Sequence, residues 1–427
     1  RLRNRLTALA LALACTGLVA GCASDHRAGD KPTTRLEVVS WWTSGSERQA
    51  LNVLLDSYRA AHPGIAVTNG AVAGGGGGNA QVVLAQRLLS GNAPDVWQTF
   101  PGGAIRAYAR QGELADISAV YAKNGLAAVL PPAIRDALTV DGRQYGVPTS
   151  AHRGNMLFYN TALLAKAGVA KPAAGYRPEV FLGDLARLKQ AGITPLCLGA
   201  KDQFTTPALF ENTLLGVVGA DAWKRIAADR FDWNSASVDE ALHRFGQVLD
   251  HADRQAGTLT WDAATKKLAA GQCAFETMND SAFGELLSAG AIDGQTFGEV
   301  PYPGTEGTYV AVVDTFVQSS RAIDANNATE FLASLGVPET QLAFSKAKGS
   351  VPIRTDVDVS ALTPYQQSAA KALRGDTVLL SIVHGEARPP RFQQSFYNAV
   401  STYARTRDVK AFRTALTDAT PSQLPAN

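Results

Sequence analysis

The sequence lacks most of the signatures that mark a metalloprotein or a covalent enzyme. It has no CxxC pair, no histidine and cysteine cluster at metal-ligand spacing and no nucleophile elbow. No metal is therefore assigned, and neither a metal nor a cofactor is expected. The glycine run Gly74 to Gly78 lacks the Gly-Lys-Ser/Thr ending of a nucleotide-binding loop, so it reads as a tight turn close to a ligand. A dominant charge of one sign is missing too: 40 Lys+Arg stand against 38 Asp+Glu. The first 21 residues hold three arginines and no acid, and without them the balance is 37 to 38. A chain so close to neutral is not built for nucleic acid or for a strongly anionic partner. Internal repeats and long low-complexity linkers are absent from the body of the chain. The apolar run Leu6 to Ala20 is too short for a comfortable bilayer span, which needs about 20 residues.

That run is informative in another way. Arg1, Arg3 and Arg5 precede it and a polar stretch from Ala23 to Thr34 follows it, the pattern of an export signal that is removed. Its end, Leu18-Val19-Ala20-Gly21-Cys22, resembles a bacterial lipobox, with Cys22 as the lipidated first residue of the mature protein. The expectation is a signal peptide over 1–21 and a tether over 22–34, on a protein exported to the periplasm or cell surface and held to a membrane by lipid. Of the four cysteines, Cys15 leaves with the signal and Cys22 is the anchor. Cys197 and Cys273 lie in short apolar runs that read as strands. An oxidising compartment permits a disulfide between them, and two buried free thiols fit equally well.

With 46% hydrophobic and 18% charged residues, the chain can bury a large core, and its length suggests two or three units at roughly 150 residues each. Leu36 to Ser40 reads as a strand and Ser46 to Ala61 as an amphipathic helix, with Leu51, Leu54, Leu55 and Tyr58 on one face. Ser46 and Gln49 form the pattern of a capping box, and His62-Pro63-Gly64 ends the helix. A strand near Ile65 to Thr68, a helix from Asn79 to Leu89 and a strand at Asp95 to Gln98 continue the alternation. This is an α/β pattern, and it predicts a largely parallel sheet. Crossings between lobes are expected at Tyr145 to Asn160 and at Tyr309 to Val317.

In open parallel sheets, ligands bind beyond the carboxyl ends of the strands. Trp41, Trp42, Thr43, Ser44 and Glu47 follow the first strand there, and Trp97, Gln98, Thr99 and Phe100 belong to the third. An indole needs space and a partner for its N–H. Paired indoles suit the C–H face of a pyranose, with fixed polar groups around its hydroxyl rim. Glu47 also has a plain helix-dipole explanation worth about 0.3–1 kcal/mol. His152 and Arg153 sit beside the first crossing, as ligand donors or as a tie between lobes. Asp280, Asp314, Lys348 and His384 are scattered, and spacing does not group them.

Six segments taken together are more specific. Trp41-Trp42-Thr43-Ser44-Gly45, Ala71-Val72-Ala73-Gly74-Gly75, Pro94-Asp95-Val96-Trp97-Gln98-Thr99, His152-Arg153-Gly154-Asn155, Lys348-Gly349-Ser350-Val351-Pro352 and His384-Gly385 resemble, in that order, the glucose- and mannose-binding branch of the family 1 extracellular solute-binding proteins of ABC sugar importers. The resemblance implies a two-lobed type II periplasmic-binding-protein fold, like that of maltose-binding protein, with a multi-strand hinge. It implies an N-terminal lobe of 35–148 with 313–362, and a C-terminal lobe of 149–312 with 363–427. It further implies a non-catalytic monomer that closes on a monosaccharide and docks to membrane permease subunits. At matching positions Trp41 or Trp42 and Trp261 would stack on the sugar. Glu47, Gln98, Asp314, Lys348 and His384 would bond its hydroxyls, with Phe100, Arg153 and Asp280 completing the ligand-binding set.

Two positions depart from that pattern. Phe100 stands where relatives tend to carry histidine, and Ser281 where they tend to carry tryptophan. Both changes bear on which sugar is bound. The competing reading, a glycosidase using Glu47, Asp280 and Asp314 as its acid and base, has no further motif behind it. A binding protein that reports sugar to a receptor is the third reading.

Overall fold

A computed structural model describes residues 34–421. The expected signal peptide, the expected tether up to residue 33 and Cys22 lie outside the described residues. The chain runs through β1 (Arg35–Val39), α1 (Gly45–Ala61), β2 (Ala66–Asn69), α2 (Gly78–Leu89) and β3 (Val96–Thr99). A short hairpin, β4 (Thr139–Val140) and β5 (Arg143–Gln144), precedes β6 (Val147–Arg153) and β7 (Met156–Asn160). Next come β8 (Leu196–Cys197), α3 (Thr205–Ala227), α4 (Trp261–Ala269), β9 (Phe275–Met278), α5 (Ser281–Ser288) and β10 (Phe297–Pro301). The elements that finish the site are β11 (Thr308–Gln318), α6 (Pro338–Lys348), β12 (Val351–Pro352), α7 (Pro364–Gly375), β13 (Thr377–Leu380) and α8 (Pro390–Thr406). Further helices cover the sheet faces. Among the described residues no helix is long and apolar enough to cross a membrane.

Two sheets carry the architecture. The larger has the order β12-β6-β11-β3-β1-β2, with β13 added beside β11; the smaller has the order β10-β7-β9-β8. β1 is parallel to β2 and β3, as the alternating pattern predicts. The larger sheet as a whole is mixed, not largely parallel, because β11 joins β3 and β6 in antiparallel register. The sequence alternation reported only local neighbours, whereas β6 and β11 pair across 165 residues or so of chain, as in Asp314 opposite Ser150.

The passages between the sheets are short. Gly154 and Asn155 separate β6, in the larger sheet, from β7, in the smaller. Asn155 pins this passage to the returning one: its Oδ1 accepts from Val310 N at 3.0 Å, and its Nδ2 donates to Thr305 Oγ1 at 2.9 Å and to Thr308 O at 3.1 Å. β11 is buried along its whole length, as expected of a strand that binds β3 and β6 by one half and β13 by the other.

In α1 the stripe read from the sequence faces inward, with Leu51, Leu54, Leu55 and Tyr58 buried. The start of the helix differs from expectation. It begins at Gly45 with Ser44 as N-cap, and no side-chain cap bond forms. Ser46 lies inside the first turn, and both its N–H and its hydroxyl donate to Glu285 Oε1, at 3.0 and 3.1 Å. The orphan N–H is satisfied by a carboxylate 239 residues away, which a local capping pattern could not anticipate. Cys197 and Cys273 are joined as a disulfide with Cα atoms 5.5 Å apart, so of the two readings left open the bridge is the one found. Closing a loop of that length restricts the unfolded chain by about 4.5 kcal/mol on a chain-entropy basis.

Candidate functional site

The carboxyl ends of β1 and β3 deliver the first aromatic groups. Trp41 and Trp42 follow β1 and are both buried. The Trp41 backbone N–H donates to Gln98 Oε1 at 3.3 Å, and the Trp41 ring packs 5.2 Å from Phe100. Trp42 lies between Phe316, at 5.6 Å, and Phe344, at 5.3 Å, and the Lys348 ammonium sits 5.3 Å from its ring centroid, within cation–π range.

Lys348, the last residue of α6, is the hub of the polar groups. Its Nζ reaches Glu47 Oε1 at 3.3 Å, Ser281 Oγ at 3.1 Å and His152 Nε2 at 2.9 Å. The opposite ring nitrogen of His152 lies 2.5 Å from Asp280 Oδ1, and Asp280 Oδ2 accepts from Tyr365 on α7 at 2.8 Å. Asp314 accepts from Ser150 at 2.9 Å and lies 3.2 Å from His152 Nε2. The β11–β6 register shifts between Asp314 and Thr315, beside this carboxylate, and such irregularities are common next to functional sites. Burial pushes the Glu47 carboxyl up, against the pull of Lys348. Burial pushes Asp314 up as well, but Lys348, His152 and Ser150 hold it below the usual carboxylate range.

The facing side comes from other elements: Phe204 ahead of α3, Trp261 at the start of α4, Met278 and Asn279 at the end of β9, Ser281 at the start of α5 and His384 after β13. Burial pulls His384 down to about 3, helped by the charge on His152, so its ring is neutral. The glycine run closes over this group. A Cβ on Gly75 would lie 2.6 Å from Trp261 Cδ1, and one on Gly76 would lie 2.8 Å from Phe204 Cδ1. Gly76 and Gly77 also hold φ of 66° and 79°, which side chains disfavour. Asp202 accepts from the backbone N–H groups of both Trp261 and Gly75. The side chains enclose a cavity of about 30 Å³. A water needs about 10–15 Å³ of such space, so entry of a larger solute requires the two sides to part.

Of the eleven residues expected to bind ligand, Trp41, Trp42, Glu47, Phe100, Trp261, Asp314, Lys348 and His384 line this cavity. Gln98 stands behind Trp41, in the small pocket under α2. Asp280 stands behind His152. Arg153 faces away: its Nη2 donates to Thr308 O at 2.8 Å and to Asp376 Oδ2 at 3.1 Å, tying the end of β6 to β11 and to the residue between α7 and β13. The cavity also gathers His152, Phe204, Asn279 and Gly76. His152 and the glycine run had a sequence signal. Phe204 had none.

The family model of the bacterial extracellular solute-binding proteins matches residues 43–342. A probable sugar-binding periplasmic protein of Brucella suis biovar 1 is 32% identical over 399 residues, covering 92% of each chain. The xylose/arabinose-binding protein of Haloferax volcanii is 25% identical over 368 residues, 85% of this chain and 79% of its own. Among solved structures, a bacterial solute receptor with an exclusive preference for β-D-galactopyranose matches with a TM-score of 0.79 at 17% identity, over 91% of this chain and 98% of its own. The fold is thus the two-lobed α/β architecture of the maltose-binding-protein type.

Proposed function

This chain belongs to the bacterial extracellular solute-binding proteins, and from that premise we propose that its solute is a monosaccharide, captured between two lobes and handed to an ABC-type permease. Its family binds solutes and is not enzymatic. The observation that carries the reading is the composition of one cleft: three indoles beside a single ammonium, Lys348, that Glu47 and Asp314 hold in balance. An anionic solute would meet carboxylates there. A neutral pyranose meets flat apolar faces for its C–H groups and charged partners for its hydroxyls, and hydrogen bonds to charged groups are worth about 1.5–3 kcal/mol net. The names of the relatives, a sugar-binding periplasmic protein and a xylose/arabinose-binding protein, favour the same class. Among hexoses, glucose, galactose and mannose are the candidates.

The lobes in this reading are 35–148 with 313–362, and 149–312 with 363–427, so the hinge passes through β6 and β11 themselves. Opening swings the Trp261 side away from the Lys348 side, and bound sugar shifts the population toward the closed form that the permease engages. The protein works as an exported monomer held to a membrane through lipid on Cys22.

Isothermal titration of protein freed of ligand by mild unfolding, against glucose, galactose, mannose, xylose and maltose, tests the proposal. Tight binding of one monosaccharide is expected. If none of the panel binds, Phe100 and Ser281 have reshaped the cleft for another polar solute, and the monosaccharide reading fails.

A further inference from the structure

Helix α3 buries a carboxyl that the cleft does not touch. Glu211 is 2% exposed, and its Oε2 accepts from the backbone N–H groups of Ile382, at 2.7 Å, and Val383, at 2.9 Å. Ser381 Oγ lies 2.9 Å from Oε1 and 3.2 Å from Oε2 of the same carboxyl. That hydroxyl also lies 2.9 Å from His384 Nδ1 and accepts from the His384 backbone N–H at 3.1 Å. The His384 ring lines the cleft between Phe100 and Phe204. Because Nδ1 faces Ser381, Nε2 is the nitrogen left for a ligand.

A hydroxyl has one hydrogen and two lone pairs, and the His384 backbone N–H takes one lone pair. Two arrangements satisfy what remains. With Glu211 ionised, Ser381 donates to the carboxylate and accepts the Nδ1 proton, so Nε2 presents a lone pair to the cleft. With Glu211 protonated, the carboxyl donates to Ser381, Ser381 donates to Nδ1, and the ring proton moves to Nε2. We infer that Glu211, acting through Ser381, sets which ring nitrogen of His384 carries the proton, and so whether the cleft offers a sugar hydroxyl an acceptor or a donor there. Glu211 and Ser381 are positioning residues, and the inference rests on the sugar reading of the cleft.

The surroundings let this switch operate near neutral pH. Burial pushes Glu211 up to about 7, against the bonds from Val383, Ser381 and Ile382. His384, held down near 3, stays neutral, so only its tautomer changes. The titratable groups coupled to this pair are few. Glu386 is pushed well up by burial, with the charges of Glu211 and Asp314 adding. Tyr397 on α8 is also raised by burial and donates to Val383 O at 2.6 Å. His152 and Asp314 act on His384 in opposite senses.

Nitrogen NMR of the histidine rings reads the tautomer directly, with the His384 signals assigned by their loss in His384→Gln. Between about pH 8.5 and about pH 5.5 the proton should move from Nδ1 to Nε2, with the ring uncharged throughout. Glu211→Gln, whose amide donates as the protonated carboxyl does, should hold the Nε2 proton over the whole range. Ser381→Ala should leave a tautomer that ignores pH. One tautomer at both ends in the unsubstituted protein, or a transition that survives Ser381→Ala, overturns the inference even if Glu211→Gln does not fold. The second arm uses whichever sugar of the panel binds, with each hydroxyl replaced in turn by fluorine, which cannot donate. At the position facing His384, the fluorinated sugar should gain about tenfold on its parent toward low pH, and keep that gain at all pH in Glu211→Gln. If the ring responds and no sugar binds, the relay stands and the sugar reading falls; if a sugar binds and the ring is unresponsive, the relay falls.

Discussion

On one side of the cleft, Glu47, Asp314, Lys348 and His152 satisfy one another in a buried charged cluster. On the other, Phe204, Trp261, Met278, Asn279, Ser281 and a neutral His384 present no net charge. The contrast assigns the two sides different work. Glu47, Asp314 and Lys348 are rooted in α1, β11 and α6, and His152 joins them from β6, the strand through which the proposed hinge passes; their polar groups are largely partnered among themselves, so in the proposed opening this side stays organised when the other side leaves. The neutral side can part from it without stranding an ion, apart from Asp280 beside His152. Links across the gap include one bond from Lys348 to Ser281, two from Ser46 to Glu285 and one from Gly75 to Asp202. In the proposed closure, recognition is thus concentrated on the charged side and movement on the neutral one.

Breaking the charged side should have the largest effect. Lys348→Ala strands the buried Glu47 carboxyl and takes a compensating charge from Asp314, and losses of about 3–5 kcal/mol in stability are expected from such a deletion. Sugar affinity should fall more than about a hundredfold. Thermal unfolding and titration calorimetry on the same preparation separate the two effects, and an unchanged affinity would remove Lys348 from the site.

The neutral side has its own ionisable weak point beneath it. Glu276 in β9 accepts from Thr265 at 2.9 Å through Oε1, its Oε2 has no partner, and burial pushes it up to about 8. Its folded value lies above its unfolded one. This contribution is therefore complete below the unfolded value of 4.5 and is lost as pH rises through about 8, up to about 5 kcal/mol in all. Glu276→Gln should flatten that decline. Urea unfolding at mildly acidic and mildly alkaline pH would reveal it, and an equal pH slope in both proteins would refute it.

Trp261→Ala, on the neutral side, should weaken sugar binding by about 2 kcal/mol, some thirtyfold, while leaving the charged cluster and most of the stability in place. A loss matching that of Lys348→Ala would erase the distinction between the sides. Glu285→Gln is the mildest test. It replaces a charge-assisted cap on α1 with a neutral one, so closure should weaken by about 1 kcal/mol. Small-angle scattering at subsaturating sugar should then report a larger open fraction.

The sequence exposed these features unequally. Periodicity was enough for β1, α1, β2, α2 and β3, because each is a local pattern, and the indole pair was conspicuous from its place after β1. Lys348 and His384 were reached through family resemblance, since nothing within their own segments connects them with Glu47 or Asp314. Phe204 was missed because it enters the cleft only when a loop between β8 and α3 meets the glycine run. Arg153 was read together with its neighbour His152, as a ligand donor or as a tie between lobes, but adjacent residues in a strand point to opposite faces. Glu285 had no local signature, since its partner is the far end of another helix.

The glycine run leaves one consequence to draw. At Gly75 and Gly76 the two sides approach until there is no room for a methyl group. The fit of the shut cleft is therefore gauged by hydrogen atoms, and a single added carbon acts as a wedge in a door jamb. Substitutions there should leave the polar contacts within each side intact and still hold the protein ajar, so the stretch of chain poorest in functional groups is among the least free to vary.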